Sequence, residues 1–284
     1  MYRSLLYVPA TNARFVDKAA ERGADAIILD LEDSIPLDQK ANARAALAAA
    51  APQCRRHGAD VAVRVNRPIR HCIADVSAAV AAGADVILLP KAESAGHVKL
   101  IAEAIEDAER EFGAKQIVKM IVLLEDPPAV FDAQAIIAAS PRVIGAATGS
   151  EDIATVLEAE PLPETLRMAK QMVHMAAKGT GRFSFGLFGT VADYSDKDAI
   201  RALVAEARRH GFDGASCIHP SVVELLNDGF SPSEAEVAHA RRVIDALDKA
   251  KAQGLGAVSL DGKMIDKPVA DRARLLLTRA GRSG

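Results

Sequence analysis

Acidic residues gather where one hydrophobic run of the sequence ends. Residues 26–33 read Ala-Ile-Ile-Leu-Asp-Leu-Glu-Asp, so Asp30, Glu32 and Asp33 lie within four residues. Side chains of a strand alternate between its two faces, which puts Asp30 and Glu32 on the same face. Carboxylate oxygens are the ligands that hard divalent cations prefer. The cluster predicts a role near such a cation, although Asp33 alone has an equal claim to be a helix N-cap.

Two further carboxylates follow later hydrophobic runs. Glu125 comes directly after Ile121–Leu124, and Asp152 stands in the Gly-Ser-Glu-Asp segment that follows the next run. If the two runs form neighbouring strands, the two carboxylates face one another. Mg²⁺ is typically held by one or two protein carboxylates, with water and substrate oxygens completing the octahedron. Spacing alone leaves a second interpretation open, because Asp152 also suits the cap of a helix that follows it.

Arg64 lies in the run Val-Ala-Val-Arg-Val-Asn at residues 61–66. The valines share one face, which suits a layer of packed helices, while Ala62 and Arg64 share the other. The pattern therefore predicts a guanidinium that points into the interior of a barrel. There it could bind a carboxylate or a phosphate through two parallel hydrogen bonds. The alternative is an exposed arginine at a strand end, paired with a surface acid.

Two other residues at strand ends are weighed as catalytic groups. Lys91 falls by alternation on the face opposite Val86 and Leu88, and nothing marks it as desolvated, so we do not expect a Schiff-base lysine. His219 closes the last hydrophobic run, but no serine or cysteine motif accompanies it. We expect His219 to be a structural hydrogen-bonding residue.

These residues lie on a regular alternation of short hydrophobic runs and longer Ala-rich, charged segments. Strict alternation predicts parallel strands joined by helices, and eight strands in about 220 residues predict an α/β fold, a (β/α)8 TIM barrel. A doubly wound open sheet is the alternative, but no G-x-G-x-x-G turn occurs. The predicted strands are Ser4–Pro9, Ala26–Glu32, Val61–Asn66, Asp85–Pro90, Ile117–Glu125, Val143–Ala147, Phe183–Phe188 and Ser216–His219.

We predict two parts, a catalytic barrel over residues 1–230 and a C-terminal extension over residues 231–284. The extension reads as a helix at Ser233–Ala252, a short extended piece at Ala257–Asp266 and a helix at Pro268–Arg279. Pro268 suits the first position of that helix, where its missing N–H costs nothing. The extension is too small for an independent domain, so we expect a helical lid that covers the barrel or a neighbouring subunit.

The amino-acid composition limits the kinds of partner that the protein can bind. Half of the 284 residues are hydrophobic, 26% are charged, and the formal net charge is −3 with both signs interspersed. A weakly acidic chain without a basic block is a poor binder of nucleic acid. The three cysteines are scattered, which fits a reducing compartment. No signal peptide or membrane span is recognisable, so we expect a cytoplasmic protein with no membrane partner.

The motifs together resemble the citrate lyase β-subunit-like family of the HpcH/HpaI aldolase superfamily. The resemblance covers essentially the whole chain. It implies a TIM-barrel lyase that needs Mg²⁺ and cleaves a β-hydroxyacyl-CoA, of the citramalyl-CoA or malyl-CoA kind, to a 2-keto acid and an acyl-CoA. The motifs that carry it, in chain order, are Arg3–Pro9, Leu29–Asp33, Val63–Asn66, Leu88–Lys91, Leu124–Glu125, Gly149–Asp152, Gly211–Gly214 with Ile218–Pro220, Phe230–Ser233 and Asp261–Asp266.

The resemblance also implies residue roles. Glu125 and Asp152 would bind Mg²⁺, and Glu125 would contact the substrate as well. Arg64 would bind the carboxylate of the keto-acid fragment. Glu32 and Asp33 would assist catalysis from the outer shell of the metal.

Asp266 has a role that the resemblance alone implies. It would come from the lid of a neighbouring subunit and act as the catalytic acid and base in a retro-Claisen cleavage. The protein would then be a homo-oligomer, a trimer or a hexamer. Three other functions stay open: an aldehyde-releasing pyruvate aldolase, a malyl-CoA thioesterase, and a non-catalytic citrate-lyase-like subunit or ligand-binding module.

Overall fold

A closed sheet of eight parallel strands forms the centre of the protein in a computed structural model that describes residues 1–190 and 194–281. Neighbours in the chain are neighbours in the sheet, and the last strand pairs with the first. The predicted (β/α)8 barrel is therefore confirmed. The strands are β1 (Ser4–Pro9), β2 (Ala26–Asp30), β3 (Asp60–Arg64), β4 (Val86–Leu89), β5 (Lys119–Leu124), β6 (Val143–Thr148), β7 (Phe183–Phe185) and β8 (Ala215–Cys217).

The barrel closes through a narrow contact between β7 and β8. Phe185 forms a single parallel bridge with Gly214, and the Gly186 N–H donates to the Gly214 carbonyl at 2.9 Å. On its other side, Gly214 approaches the backbone of residues 2 and 3 so closely that no side chain fits there. Glycine at position 214 thus allows the last strand to join the first.

Helices connect the strands and cover the barrel. Between β5 and β6 the chain forms two short helices that meet at Asp132, and the Asp126 side chain caps the first of them by accepting from the Ala129 N–H. The helices before the last strand and just after it are α1 (Ala13–Ala19), α2 (Lys40–Cys54), α3 (Ile69–Ala81), α4 (Ala95–Phe112), α5 (Pro127–Phe131), α6 (Ala133–Ile137), α7 (Ser150–Val156), α8 (Pro163–Gly179), α9 (Lys197–Arg209) and α10 (Val223–Phe230).

Side chains from alternate strand positions fill the barrel interior. β3 contributes Ala62, and its neighbours β2 and β4 contribute Ile28 and Leu88. Arg64 is two residues beyond Ala62 and so continues the inward series toward the carboxyl end of the strands. The predicted inward orientation of Arg64 is confirmed, and it follows from the period of two along β3.

A second compact unit begins at Asp228, within α10. It contains α11 (Glu234–Ala252), the antiparallel strands β9 (Val258–Leu260) and β10 (Lys263–Ile265), and α12 (Lys267–Ala280). Its own core includes Val243, Leu247 and Ile265. α12 begins at Lys267 and not at Pro268, because the Asp266 side chain caps it. Among the described residues, the helices are all too short or too polar to cross a bilayer.

Gly214→Ala is expected to lower the free energy of unfolding by about 3 kcal/mol. A Cβ there would lie 2.0 Å from the Tyr2 carbonyl oxygen and 2.7 Å from that of Arg3, both fixed backbone atoms. Urea unfolding followed by circular dichroism measures the change.

The matched control is Gly179→Ala at the end of α8, where an added Cβ meets no atom within 4 Å. Because alanine is a better helix former than glycine, this variant should be neutral or slightly more stable. Equal stability of the two variants would show that closure at Gly214 is not tight.

Candidate functional site

A cavity of about 840 Å³ opens at the carboxyl ends of the strands. Side chains that follow β2, β3, β5 and β6 line it, among them Asp30, Arg64, Glu125 and Asp152. The active sites of TIM-barrel enzymes lie at this end of the barrel. Predicted site residues from four different strands thus lie in one cavity.

Arg64 and Asp30 form a buried, two-point ion pair in the lining of the cavity. Arg64 Nε and Nη2 donate to the two carboxylate oxygens of Asp30 at 2.7 and 2.8 Å. The guanidinium also lies over the Tyr7 ring, 4.8 Å from its centre. Burial raises the pKa of Asp30, but the hydrogen bonds from Arg64 outweigh it and leave the pKa below its ordinary value. The pair therefore stays ionised and keeps Arg64 in one orientation.

Glu32 and Asp33 lie beside the same guanidinium. Arg64 Nη1 donates to Asp33 Oδ2 at 3.1 Å and forms an ion pair with Glu32 Oε2 at 3.2 Å, without hydrogen-bond geometry. Burial raises the pKa of Glu32. The helix-cap interpretation of Asp33 is wrong, because α2 starts only at Lys40, after Gln39. The predicted acidic cluster is thus assembled around Arg64.

Buried polar side chains fix the loop that carries Glu32. Lys40 Nζ donates to the carbonyls of Leu31 and Glu32 at 2.8 and 2.6 Å. Asn66 Nδ2 donates to the Leu31 carbonyl at 2.8 Å and to Asp75 at 2.6 Å. Because these groups are buried, breaking their hydrogen bonds is costly, and the loop is held in place before any ligand binds.

Glu125 and Asp152 come from the paired strands β5 and β6. Gly149, which precedes α7, leaves room for the Glu125 carboxylate, because a Cβ at position 149 would lie 2.7 Å from Glu125 Oε1. Burial and the nearby Asp152 raise the pKa of Glu125 to about 7. Asp152 lies in the first turn of α7 and is not its cap, whereas Asp126 does cap α5. The two carboxylates therefore share one site, as the pairing of their strands predicts.

Lys91 belongs to the site, although strand alternation placed it outside. Its Nζ donates to Glu32 Oε1 at 2.9 Å and lies 3.6 Å from Asp152 Oδ1, while its backbone N–H donates to Glu125 Oε2 at 2.9 Å. β4 ends at Leu89, and Lys91 has a φ of 47°. This left-handed backbone breaks the alternation on which the prediction rested.

Lys170 is a second cation that sequence reasoning missed. It is 3% exposed, and its Nζ donates to Ser150 Oγ at 2.7 Å, to the Gly189 carbonyl at 3.2 Å and to the Leu187 carbonyl. Burial lowers the pKa of Lys170 to about 7. Three acceptors match the three N–H bonds of an ammonium, so Lys170 ties the loops after β6 and β7 together.

His219 and Asp266 occupy structural positions. His219 Nδ1 accepts from the Ser221 N–H at 3.2 Å, and its ring stacks on Tyr194 with centroids 4.1 Å apart. This is the structural role expected for His219. Asp266 lies in the second unit, where Oδ1 accepts from the Val269 N–H at 3.2 Å. Its catalytic role stays a prediction.

Comparison with known proteins identifies the family. A model of the HpcH/HpaI aldolase/citrate lyase family matches residues 3–220. The chain belongs to this family. The citrate lyase subunit beta of Escherichia coli K12 is 39% identical over 289 residues, which cover 99% of this chain and 94% of that protein. The (3S)-malyl-CoA thioesterase of Cereibacter sphaeroides ATCC 17025 is 34% identical over 282 residues, covering 98% and 94%.

A solved structure of the family contains magnesium. The crystal structure of CitE from Mycobacterium tuberculosis in complex with magnesium, acetoacetate and coenzyme A has a TM-score of 0.77 to this chain. The two share 29% identity, over 98% of this chain and 97% of that one. The HpcH/HpaI family includes lyases and is Mg²⁺-dependent.

The residues of this chain fit that ion. Among residues 1–190 and 194–281, no three carboxylate, histidine or cysteine side chains converge to enclose a metal. Mg²⁺ does not require such a cage, because it keeps several waters and takes one or two carboxylates. Glu125 and Asp152 are two such carboxylates, and Gly149 leaves room for Glu125. The buried Glu32 Oε2 also has no hydrogen-bond partner in the described chain.

Asp30→Ala is expected to lower the free energy of unfolding by about 3 kcal/mol, because it removes the partner that accepts two hydrogen bonds from the buried Arg64. The exposed pair Arg67–Glu93 is the control, and Glu93→Ala should cost less than about 1 kcal/mol. Denaturant titration of both variants at neutral pH compares them. A cost for Asp30→Ala no larger than that of the control would contradict a structural role for the buried pair.

The Arg64–Asp30 ion pair also predicts how the stability of the protein depends on pH. The folded-state pKa of Asp30 lies below its ordinary value of 3.8. Its contribution to stability is therefore complete above that pH and is lost as the pH falls through the folded pKa. The stability difference between the wild-type protein and Asp30→Ala should accordingly shrink only in strong acid.

Proposed function

We propose that this protein is a Mg²⁺-dependent carbon–carbon lyase that cleaves a β-hydroxyacyl-CoA, of the citramalyl-CoA or malyl-CoA kind, to a 2-keto acid and an acyl-CoA. One observation carries the proposal: Glu125 and Asp152 lie together in the cavity that also contains the Arg64 guanidinium. A substrate of this kind offers its hydroxyl oxygen to the cation and its free carboxylate to the arginine. The relatives named citrate lyase subunit beta and (3S)-malyl-CoA thioesterase support substrates of this class.

In this proposal, the side chains divide the work of a retro-Claisen cleavage. Glu125 and Asp152 hold Mg²⁺, which when bound supplies a Lewis acid that lowers the pKa of the substrate hydroxyl. Asp30 occupies the Nε side of Arg64, and the Nη1 side, now shared with Asp33, is left to bind the keto-acid carboxylate. That contact decides which carbon–carbon bond lies in position to break.

Asp266 is proposed to move the protons, as the family resemblance implies. It would come from a neighbouring subunit in a homo-oligomer, a trimer or a hexamer. Its carboxylate removes the hydroxyl proton as the carbon–carbon bond breaks, and the electron pair of that bond passes to the thioester as an enolate. Return of the proton to the enolate carbon yields the acyl-CoA. Glu32 and Asp33 assist by holding Arg64 and Lys91 in place.

A thioesterase is the second candidate, because a relative at 34% identity is named (3S)-malyl-CoA thioesterase. Such an enzyme would hydrolyse the thioester and release free CoA and an intact hydroxy acid. An aldehyde-releasing pyruvate aldolase and a non-catalytic subunit would do neither with these substrates. The products therefore distinguish a lyase from a thioesterase, and both of these from the other two functions.

The test is to incubate the purified protein with Mg²⁺ and (S)- or (R)-citramalyl-CoA, malyl-CoA or citryl-CoA. A lyase releases pyruvate, glyoxylate or oxaloacetate with an acyl-CoA, and EDTA abolishes the release. Free CoA without a keto acid would replace the lyase with a thioesterase. Failure to change any of the four substrates, in protein that binds Mg²⁺, would overturn both.

Two substitutions separate metal binding from proton transfer. Glu125→Gln is expected to weaken Mg²⁺ binding at least tenfold, because it removes an anionic ligand. Asp266→Asn is expected to leave Mg²⁺ affinity unchanged and to lower kcat by at least a hundredfold, within the usual range for loss of an acid–base group. Calorimetric titration with Mg²⁺ and steady-state kinetics measure the two effects.

Asp126→Asn is the matched control for Glu125, since the two acids are adjacent but Asp126 caps α5. It should retain Mg²⁺ affinity while losing at most about 1 kcal/mol of stability. Near-normal turnover by Asp266→Asn would remove Asp266 from the mechanism. Unchanged Mg²⁺ affinity of Glu125→Gln would remove that residue from the metal site.

A further inference from the structure

Acidic residues outnumber the cations with which they form ion pairs around Arg64 and Lys91. Five carboxylates lie in this cluster, so it is formally negative when all the acids are ionised. Like charges this close repel one another unless a cation lies between them, most strongly where they are buried, as Glu32 and Glu125 are. The acids are Asp30, Glu32, Asp33, Glu125 and Asp152, and the cations are Arg64 and Lys91.

Arg64 and Lys91 share the acids of the cluster. Arg64 donates two hydrogen bonds to Asp30, and its remaining nitrogen, Nη1, contacts both Asp33 and Glu32. Lys91 is the cation that bridges the acids after β2 to those after β5 and β6. Its Nζ lies 2.9 Å from Glu32 Oε1 and 3.6 Å from Asp152 Oδ1.

Backbone and side chain of Lys91 do different things. The backbone N–H donates to Glu125, and any residue at position 91 retains that donor. Each contact made by Nζ in the described chain is with a carboxylate, the third being Asp33 at 3.9 Å. About one-third of the side chain is exposed. Its contribution to the site is therefore its charge.

We propose that Lys91 is a positioning residue that acts as the internal counter-ion of the metal site. Its ammonium holds Glu32 and Asp152 together when no divalent cation is present, and its charge opposes the cation when one binds. Lys91 thereby sets the affinity for Mg²⁺ below what the carboxylates alone would give. This inference rests on the metal site of the proposed function. It adds the residue that sets the Mg²⁺ affinity of that site.

The proposal predicts that removing the Lys91 charge changes the Mg²⁺ affinity in the opposite direction to removing a purely structural contact. A lysine that only ordered the carboxylates would, when removed, leave them misplaced and weaken Mg²⁺ binding. A lysine that acts by its charge would, when removed, strengthen Mg²⁺ binding, because a nearby positive charge is lost. Affinity for Mg²⁺ therefore distinguishes the two without any measurement of turnover.

The experiment compares Lys91→Met, Lys91→Arg and the wild-type protein by calorimetric titration with MgCl2. Lys91→Met keeps an unbranched side chain, one atom shorter, and removes the charge, and it should bind Mg²⁺ about tenfold more tightly. Lys91→Arg keeps the charge and should bind within a factor of about three of the wild type. Lys99→Met, an exposed lysine on α4, changes net charge equally and should have no effect.

Thermal unfolding provides the second measurement. In EDTA, Lys91→Met should unfold at a lower temperature than the wild type, and saturating Mg²⁺ should raise its Tm by more than it raises that of the wild type. If Lys91→Met does not fold, Lys91→Gln takes its place, since an amide can still donate to Glu32. Unchanged or weaker Mg²⁺ affinity of a folded, uncharged variant would overturn the inference while the metal site stands. Absence of Mg²⁺ binding to the wild-type protein would overturn the metal site and the inference with it.

Discussion

Ionised carboxylates can be kept at the buried mouth of a barrel only where cations compensate them, and Arg64 provides the first compensation. Taking a charged group out of water costs several kcal/mol unless a partner with matching geometry is already present. Asp30 supplies that partner through two hydrogen bonds, and the Tyr7 ring covers the face of the guanidinium. Because Arg64 and Asp30 satisfy one another, Glu32 and Asp33 can assemble around the remaining nitrogen of the guanidinium, Nη1.

The same site shows how a barrel turns strand ends into a rigid arrangement. Lys40 and Asn66 hold the loop after β2, and Lys170 holds the loops after β6 and β7. None of these three is proposed to touch the reacting atoms. They matter because an active site lowers a barrier most when its charged groups are in place beforehand and need not reorganise during the reaction. Gly149 serves the same end by leaving room for Glu125.

Much of the site followed from rules that act over a few residues. Alternation along β3 placed Arg64 inside the barrel, and the succession of β5 and β6 placed Glu125 beside Asp152. The interpretation of Asp33 and Asp152 as helix caps failed, because α2 begins later and α7 is capped by Gly149. Cap positions depend on where a helix starts, and sequence patterns locate that only to within a few residues.

The amino-acid sequence by itself determined the order of strands and helices, and hence the closed parallel barrel. Hydrophobic periodicity is a property of the local sequence and can be read without knowing the tertiary contacts. It also determined which strand ends carry carboxylates. Only the tertiary structure decided that Lys91 and Lys170 join them. Lys91 enters through a left-handed backbone that no strand pattern reveals, and Lys170 reaches the site from α8, a helix whose own sequence does not indicate which loops it meets. Contacts between distant segments depend on how the elements pack together, and that packing is a property of the whole fold.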